Sequence, residues 1–352
     1  MIITASVKYK EMLEKILVSS DICKFNDKRI MITGANGMIG SMLIDVLMLN
    51  NSRGGSCYVE AVVRNEQAAK ERFAEYIEKG YLGITVHDVN NKFPEDTFVP
   101  DYIIHAASNT HPVAYAEDPV NTILANIYGT NNLLEMASKK KGCRFVFLSS
   151  VEVYGENRSD TDEFDESYCG YLNCNTLRAG YPESKRVGEA LCQAYIKQSD
   201  VDSVIIRIPR SYGPTMKVTD SKASAQFILK CLNNEDIVLK SAGTQLFSYA
   251  CVADDVSGIL TVMSKGIKGE AYNLADRGSD VQLRDLAAIV AEISGRKVVF
   301  GESVDSEKQG ASTVTKSVMC GDKLKNLGWA PEYNIRTGIK ATIEILREIG
   351  VR

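Results

Sequence analysis

Through its first two-thirds the chain alternates between apolar runs of strand length and stretches with helical spacing. No other feature of the sequence restricts the fold as much. "RIMIT" (29–33) precedes the helical stretch "GMIGSMLIDVLMLN", and "CYVEAVV" (57–63) precedes "NEQAAKERFAEYIEK". "ITVHDV" (84–89) and "YIIHAA" (102–107) follow, then a helix near 119–140 and "RFVFLSS" (144–150). A helix from about Pro182 leads into "SVIIRI" (203–208). These strands are apolar almost throughout, not only at every second residue. That is the pattern of strands buried on both faces, as in a parallel sheet covered by helices on both sides. The expected fold class is α/β, a doubly wound parallel sheet.

After Pro209 the elements become shorter and mixed, as in "DIVLKSAG", "VADDVSGILTVM" and "EAYNLAD", with a last helix at about 335–348. The expected layout is an N-terminal helical extension (1–27), a nucleotide-binding domain (28–209) and a smaller C-terminal α/β lobe (210–352) that binds substrate. The boundary between the last two is expected to be discontinuous in sequence. A crevice between lobes is a common ligand site.

The formal net charge of -4 gives no reason to expect nucleic acid or an anionic membrane surface as partner. Nine cysteines, an odd number with no CxxC pair, read as reduced and mostly buried thiols. His87, His105 and His111 lack metal-ligand spacing, so no metal site is expected. The N-terminus reads as a short amphipathic helix, not a signal peptide, and no apolar stretch reaches membrane-spanning length. The expected location is cytoplasmic.

"TGANGMIG" sets Gly34, Gly37 and Gly40 between the first strand and its helix. Glycines there allow a tight turn and a close approach to a pyrophosphate, and the helix start offers free N–H groups. The competing reading is a turn that only packs the helix on the sheet. The second strand ends in Arg64 and Asn65 where an acidic residue would bind the adenosine ribose. NAD is the expected cofactor. Arg64 leaves NADP open, because an arginine there suits a 2′-phosphate; alternatively it only stacks on adenine.

"YPESK" puts Tyr181 and Lys185 four residues apart, on one face of a helix. An ammonium near a phenol favours the phenolate, which can take a hydroxyl proton while hydride leaves the same carbon. Ser150 is the expected partner that hydrogen-bonds the reacting oxygen, with Ser149 as the alternative.

The GxxGxxG spacing resembles the short-chain dehydrogenase/reductase superfamily, especially its extended, Rossmann-type branch that modifies sugar nucleotides (the epimerase/dehydratase family). This resemblance implies further cofactor contacts at Asn36, Met38, Ile39, Asp88, Val89, Ala106, Ala107, Ser108, Asn126, Ser149 and Pro209, besides Tyr181 and Lys185. It also implies that Asn126, in "NIYGT", helps order the active-site strand. The run "EVYG... ESYCGYLN... LRAGYPESKRVGEAL" is similar to UDP-glucuronate decarboxylases, as are "HAASNTHPVAYAEDPVNTILANIYGTNNLL" and "RIPRSYGPTM". The similarity covers roughly residues 28–345 and is densest from 100 to 215.

A dehydratase of this branch uses an Asp–Glu pair in the loop where this chain has Val151 and Glu152. With valine in the acid's place, the resemblance implies a decarboxylase, which needs no acid for a leaving hydroxyl. Glu152 then orders the water that returns a proton; the plainer reading is a loop carboxylate paired with a cation. The alternatives are a C4 epimerase, a dehydratase, a reductase, or a non-catalytic binding protein. The substrate, a nucleotide sugar, is expected to meet Ser108, Glu152, Arg178, Arg210 and Ser211. Three positions depart from the decarboxylase pattern. Phe247 stands where an arginine is usual, Arg210 replaces an asparagine, and Thr215 replaces an arginine. The family also implies a homodimer through the helices near 119–140 and 182–198, in polysaccharide biosynthesis.

Overall fold

The computed structural model describes residues 3–108, 117–301 and 314–351. His111, with the neighbouring positions 112–115 of the resemblance, lies outside the described residues. The first layer is built by α1 (Val7–Ser19), β1 (Arg29–Thr33), α2 (Met38–Ser52), β2 (Tyr58–Val63), α3 (Glu66–Glu78) and β3 (Leu82–Val86). It continues through β4 (Tyr102–His105), α4 (Pro119–Ser138), β5 (Arg144–Ser150), α5 (Gly180–Ser199) and β6 (Asp202–Ile208). These strands join one parallel sheet in the order β3-β2-β1-β4-β5-β6. The order reverses between β1 and β4, and a crevice opens at the carboxyl ends there, where such sheets bind ligands.

Burial explains the near-continuous apolar strands. In β1 every residue after Arg29 is buried, and β5 is buried from Phe145 to Ser150. Helix α2 is apolar almost all round, so it needs cover on its outer side as well as on the sheet. That cover comes from α1 and from α7 (Val252–Lys265).

The remaining chain holds β7 (Arg210–Tyr212), α6 (Ala223–Leu232), β8 (Ile237–Leu239), β9 (Leu246–Cys251), α7, β10 (Ala271–Asn273) and β11 (Asp280–Gln282). Then come α8 (Leu283–Ser294), β12 (Val298–Phe300), β13 (Lys316–Ser317), α9 (Asp322–Lys325) and α10 (Ile335–Glu348). Strand β9 is the hub of a second sheet, pairing with β7 and β13 in parallel and with β11 antiparallel. A small third sheet joins β8 and β12. Two elements that follow Pro209 return to the first layer. Strand β10, from "EAYNLAD", is the seventh strand, parallel to β6, and α7 packs on β6.

Two boundaries differ from the sequence pattern. Strand β3 ends at Val86, so His87, Asp88 and Val89 lie in the loop at the sheet's carboxyl edge. Helix α5 starts at Gly180, because a proline is tolerated in a helix's first turn, where its missing N–H costs nothing.

Candidate active site

The turn after β1 is shaped by its glycines. Gly34 has φ +67°, and a Cβ there would lie 2.7 Å from the Ala106 carbonyl oxygen. A Cβ on Gly40 would lie 2.6 Å from the Gly34 carbonyl oxygen. Gly37 caps α2 with no side chain over the helix start, so its first N–H groups face open space. A cavity of about 640 Å³ opens in front of this turn. Asn36, Arg64, Asn65, Asp88, Val89, Ala106, Ala107 and Ser108, all expected to contact a cofactor, line it. Met38, Ile39, Asn126 and Pro209 are not among its lining residues. Asn36 donates to the Asn65 carbonyl at 3.1 Å, and its own side-chain oxygen is buried without a partner among the described residues. Asn65 caps α3 by accepting from the Ala68 N–H at 3.0 Å, and Asp88 accepts from the Asn90 N–H. A cleft of this size, with bare helix N–H groups and two glycines that exclude Cβ atoms, fits a dinucleotide pyrophosphate.

Sequence reasoning missed the other walls of the cavity. Pro214 to Val218 close one side, with the Thr215 hydroxyl donating to the Met38 carbonyl at 2.8 Å. Ile3 from the N-terminal segment and Leu346, Ile349 and Val351 from the C-terminal end also line it. No local signal marks these residues, since only the tertiary fold brings both termini to the cleft.

Strand β5 delivers two serines to opposite sides, as strand alternation requires. Ser149 was expected at the cofactor. Its hydroxyl instead donates to Glu189 on α5 at 2.6 Å, and Arg207 holds that carboxylate through two nitrogens at 3.0 and 2.7 Å. Ser150 ends the strand and accepts from the Glu152 N–H at 3.2 Å, capping the tight helical turn Val151–Tyr154. Arg207 also donates to the Tyr154 hydroxyl, which donates to Asn273 on β10. The turn carrying Glu152 is thus fixed from below by a buried polar network. An arginine inside the apolar run "SVIIRI" was the one sequence sign of it.

Tyr181 and Lys185 sit on the buried face of α5, 8% and 3% exposed. The Lys185 ammonium is 6.0 Å from the Tyr181 ring centroid and donates to the Leu148 carbonyl at 2.8 Å. Burial lowers its pKa to about 7. Asn126 was expected to order the strand; it reaches α5 instead. Its amide donates to the Ser184 hydroxyl at 2.9 Å, and Ser184 donates to the Tyr181 carbonyl. Gly188 lets α5 lie directly on Phe147, whose ring would be 2.3 Å from a Cβ there.

Glu152 and Arg178 face each other at 3.6 Å. The two residues expected at the substrate are therefore paired across the site. Val151 turns the other way, 4% exposed, into a cluster with Val153, Tyr154, Phe164, Ala275 and Met319. The Arg210 guanidinium carbon lies over Phe247, 3.5 Å from the ring centre, and the Ser211 side chain is buried beside Asp255.

This chain is similar to known proteins over most of its length. The model of the NAD dependent epimerase/dehydratase family matches residues 30–275. UDP-glucuronic acid decarboxylase 1 of Xenopus tropicalis is 30% identical over 325 residues, 91% of this chain and 72% of that protein. UDP-glucuronic acid decarboxylase 5 of Arabidopsis thaliana is 31% identical over 336 residues, 94% of this chain and 92% of that protein. Among solved structures, UDP-glucose 4-epimerase of Thermotoga maritima with UDP-glucose has TM-score 0.76 at 22% identity, covering 91% of this chain and 99% of that one. The dTDP-glucose 4,6-dehydratase of Streptomyces venezuelae, with NAD bound, has TM-score 0.77 at 22% identity, covering 91% and 97%. At that identity the likeness is one of fold.

Proposed function

The chain belongs to the NAD-dependent epimerase/dehydratase family, and from that premise we propose that it decarboxylates UDP-glucuronate through transient oxidation at C4. The observation that carries this reading is the pair Val151 and Glu152. The loop presents one carboxylate, and its neighbour is an apolar side chain buried in the core. A dehydratase that expels a hydroxyl would need an acid where Val151 turns away. The named decarboxylase relatives, similar over nine-tenths of this chain, support the same reading.

Bound NAD supplies the acceptor for the C4 hydride and returns that hydride at the end. Tyr181, as phenolate beside the Lys185 ammonium, takes the proton of the C4 hydroxyl. Ser150 donates to the same oxygen and supports the negative charge that develops on it. With C4 a ketone, the sugar is a β-keto acid. The C5–C6 bond breaks, carbon dioxide leaves, and its electron pair becomes the enolate that Ser150 and Tyr181 hold. Glu152 orders the water that protonates C5. The proton kept on Tyr181 returns to the C4 oxygen, so the reaction involves no net redox change. In this reading Arg178, which pairs with Glu152, meets the substrate carboxylate, and Ser108, which lines the cleft, meets the sugar.

Incubation with UDP-glucuronate should release carbon dioxide and form UDP-xylose with only catalytic NAD. Absence of both products in cofactor-loaded protein sinks the proposal. Glu152→Ala should lower the rate about 100-fold or more, the scale of a lost proton-transfer group. A C4 epimerase would keep its activity in that variant. We assign NAD as the cofactor; Arg64 is the feature that would admit a 2′-phosphate, and titration with NAD and NADP separates the two. We also propose a homodimer through α4 and α5, whose outer faces expose Val120, Tyr128 and Val187. The nine unpaired cysteines suit a reducing cytoplasm. No described helix is long and apolar enough to cross a membrane. A product of this kind would feed polysaccharide biosynthesis.

A further inference from the structure

The reacting residues sit on three neighbouring pieces of chain. Tyr181 and Lys185 are on α5, Ser150 ends β5, and Glu152 rides on the turn Val151–Tyr154. Chemistry at one carbon needs these pieces in register, since a misplacement of about 1 Å can cost about 100-fold in rate. One carboxylate is tied to all three. Glu189 lies on α5 one turn beyond Lys185 and on the same face. It accepts from the hydroxyl of Ser149, the residue before Ser150 on β5, at 2.6 Å. Its two oxygens take Nε and Nη2 of Arg207 at 3.0 and 2.7 Å. Arg207 stands opposite Ser149 in the β5–β6 register, and its Nη1 donates to the Tyr154 hydroxyl at 2.8 Å. The carboxylate thus joins α5 to β5 directly, and to the turn through Arg207. None of Ser149, Glu189 and Arg207 is among the described residues that line the cleft.

A buried ion pair adds little net stability over apolar side chains of its size, because desolvation offsets the attraction. The Glu189 and Arg207 side chains are 15% and 12% exposed, so stability alone is a weak reason for the pair. Position and charge are stronger ones. Around the Lys185 ammonium stand His105 of β4, the Tyr181 ring, and Cys192 and Glu189 of α5. Burial, and then the Lys185 charge, keep His105 a neutral imidazole with pKa about 3. Burial pushes the Cys192 thiol up to about 12, so it stays uncharged as well. Glu189 is the group of this set that brings a negative charge. Burial pulls Lys185 towards the neutral amine, and Glu189 pulls it back. We infer that Glu189, braced by Arg207, is a positioning residue for the reaction: it locks α5 to the end of β5 and holds a negative charge one turn from Lys185. The inference rests on reading Tyr181 and Lys185 as the proton-transfer pair and does not depend on which sugar reaction follows.

Two variants separate charge from position. Glu189→Gln keeps the size and an acceptor oxygen but loses the charge, whereas Glu189→Asp keeps the charge on a shorter arm. Carbon dioxide release by the cofactor-loaded protein gives kcat and KM for UDP-glucuronate across the neutral and alkaline range. Glu189→Gln should lower kcat about tenfold or more at neutral pH, with KM within about threefold of the parent. The alkaline fall of kcat, where the ammonium is lost, should move down by about one pH unit. Glu189→Asp should lower kcat but leave that fall where the parent has it. Urea denaturation of the cofactor-free protein reads the same charge without turnover. Stability rises with pH above the folded pKa of Lys185, about 7 in the parent, and the rise should begin about one unit lower in Glu189→Gln. If the parent releases no carbon dioxide but that rise moves as expected, the decarboxylase reading falls and the inference stands. A Glu189→Gln protein with the parent's kcat and pH behaviour overturns the inference. So does an equal loss of melting temperature in both variants with no shift of either pH dependence, which would make the pair structural only.

Discussion

At the scale of single residues, Lys185 shows the cost of burying a charged side chain most directly. It is 3% exposed, and burial brings its pKa from the ordinary 10.5 down to about 7. Between those values the unfolded chain binds more protons than the folded one, so stability rises with pH from about 7 to 10.5. Below pH 7 both states are protonated and the cost of the buried cation is present in full. Lys185→Met should therefore stabilise the cofactor-free protein by about 2–4 kcal/mol at pH 6, an order-of-magnitude figure that allows for the lost bond to Leu148. The gain should fade towards pH 10.5 while activity is abolished. Urea denaturation at pH 6 and pH 10 checks this, and an equal gain at both would exclude it. The YxxxK spacing made this pair legible in the sequence. A cation beside Glu152 was the plainer reading of the sequence, but its identity as Arg178 was not legible, because the two residues are brought together only by the path of the loop between them.

At the scale of elements, the glycine turn is the piece whose sequence and structure agree most closely. Its backbone packs on itself and on the end of β4 with no room for a methyl group. Gly40→Ala places a Cβ 2.6 Å from a backbone oxygen that cannot move without the turn. The variant should keep its far-UV spectrum and lose about tenfold or more in NAD affinity, since the N–H groups must be aimed to act. Unchanged affinity by fluorescence titration would remove the assignment of this turn to the pyrophosphate. Helix α5 is held in a second way. Asn126 ties it to α4 through Ser184, and Gly188 seats it on Phe147. A family likeness placed Asn126 where it would help order the active-site strand; its amide bonds Ser184 on α5.

At the scale of the whole molecule, the ends of the chain come together beside the cleft. Ser6 donates to Glu348, and Lys8 pairs with Glu344 at 2.6 Å. Tyr9 is fully buried and donates to Asp45 on α2, which Arg72 and Tyr76 of α3 also reach. The N-terminal helix is thus part of the first layer's outer cover. Tyr9→Phe should cost about 1–2 kcal/mol, the usual cost of leaving a buried charged acceptor short of one donor. Urea denaturation reads this directly, and a variant as stable as the parent would mean that Arg72 and Tyr76 suffice for Asp45.

By itself the sequence determined the parallel sheet, the glycine turn after β1 and the helix that carries Tyr181 and Lys185 on one face. Each is written in neighbouring residues, through strand and helix periods or through a spacing that places side chains on one face. The tertiary structure alone decided that Ser149 bonds Glu189 while Ser150 caps the next turn, that β10 completes the first sheet, that Arg210 rests on Phe247, and that segments near both ends of the chain wall the cleft. Apart from the Ser150 cap, those contacts join residues tens to hundreds of positions apart. Burial and packing select such contacts only once the whole chain has folded, and no local pattern records them.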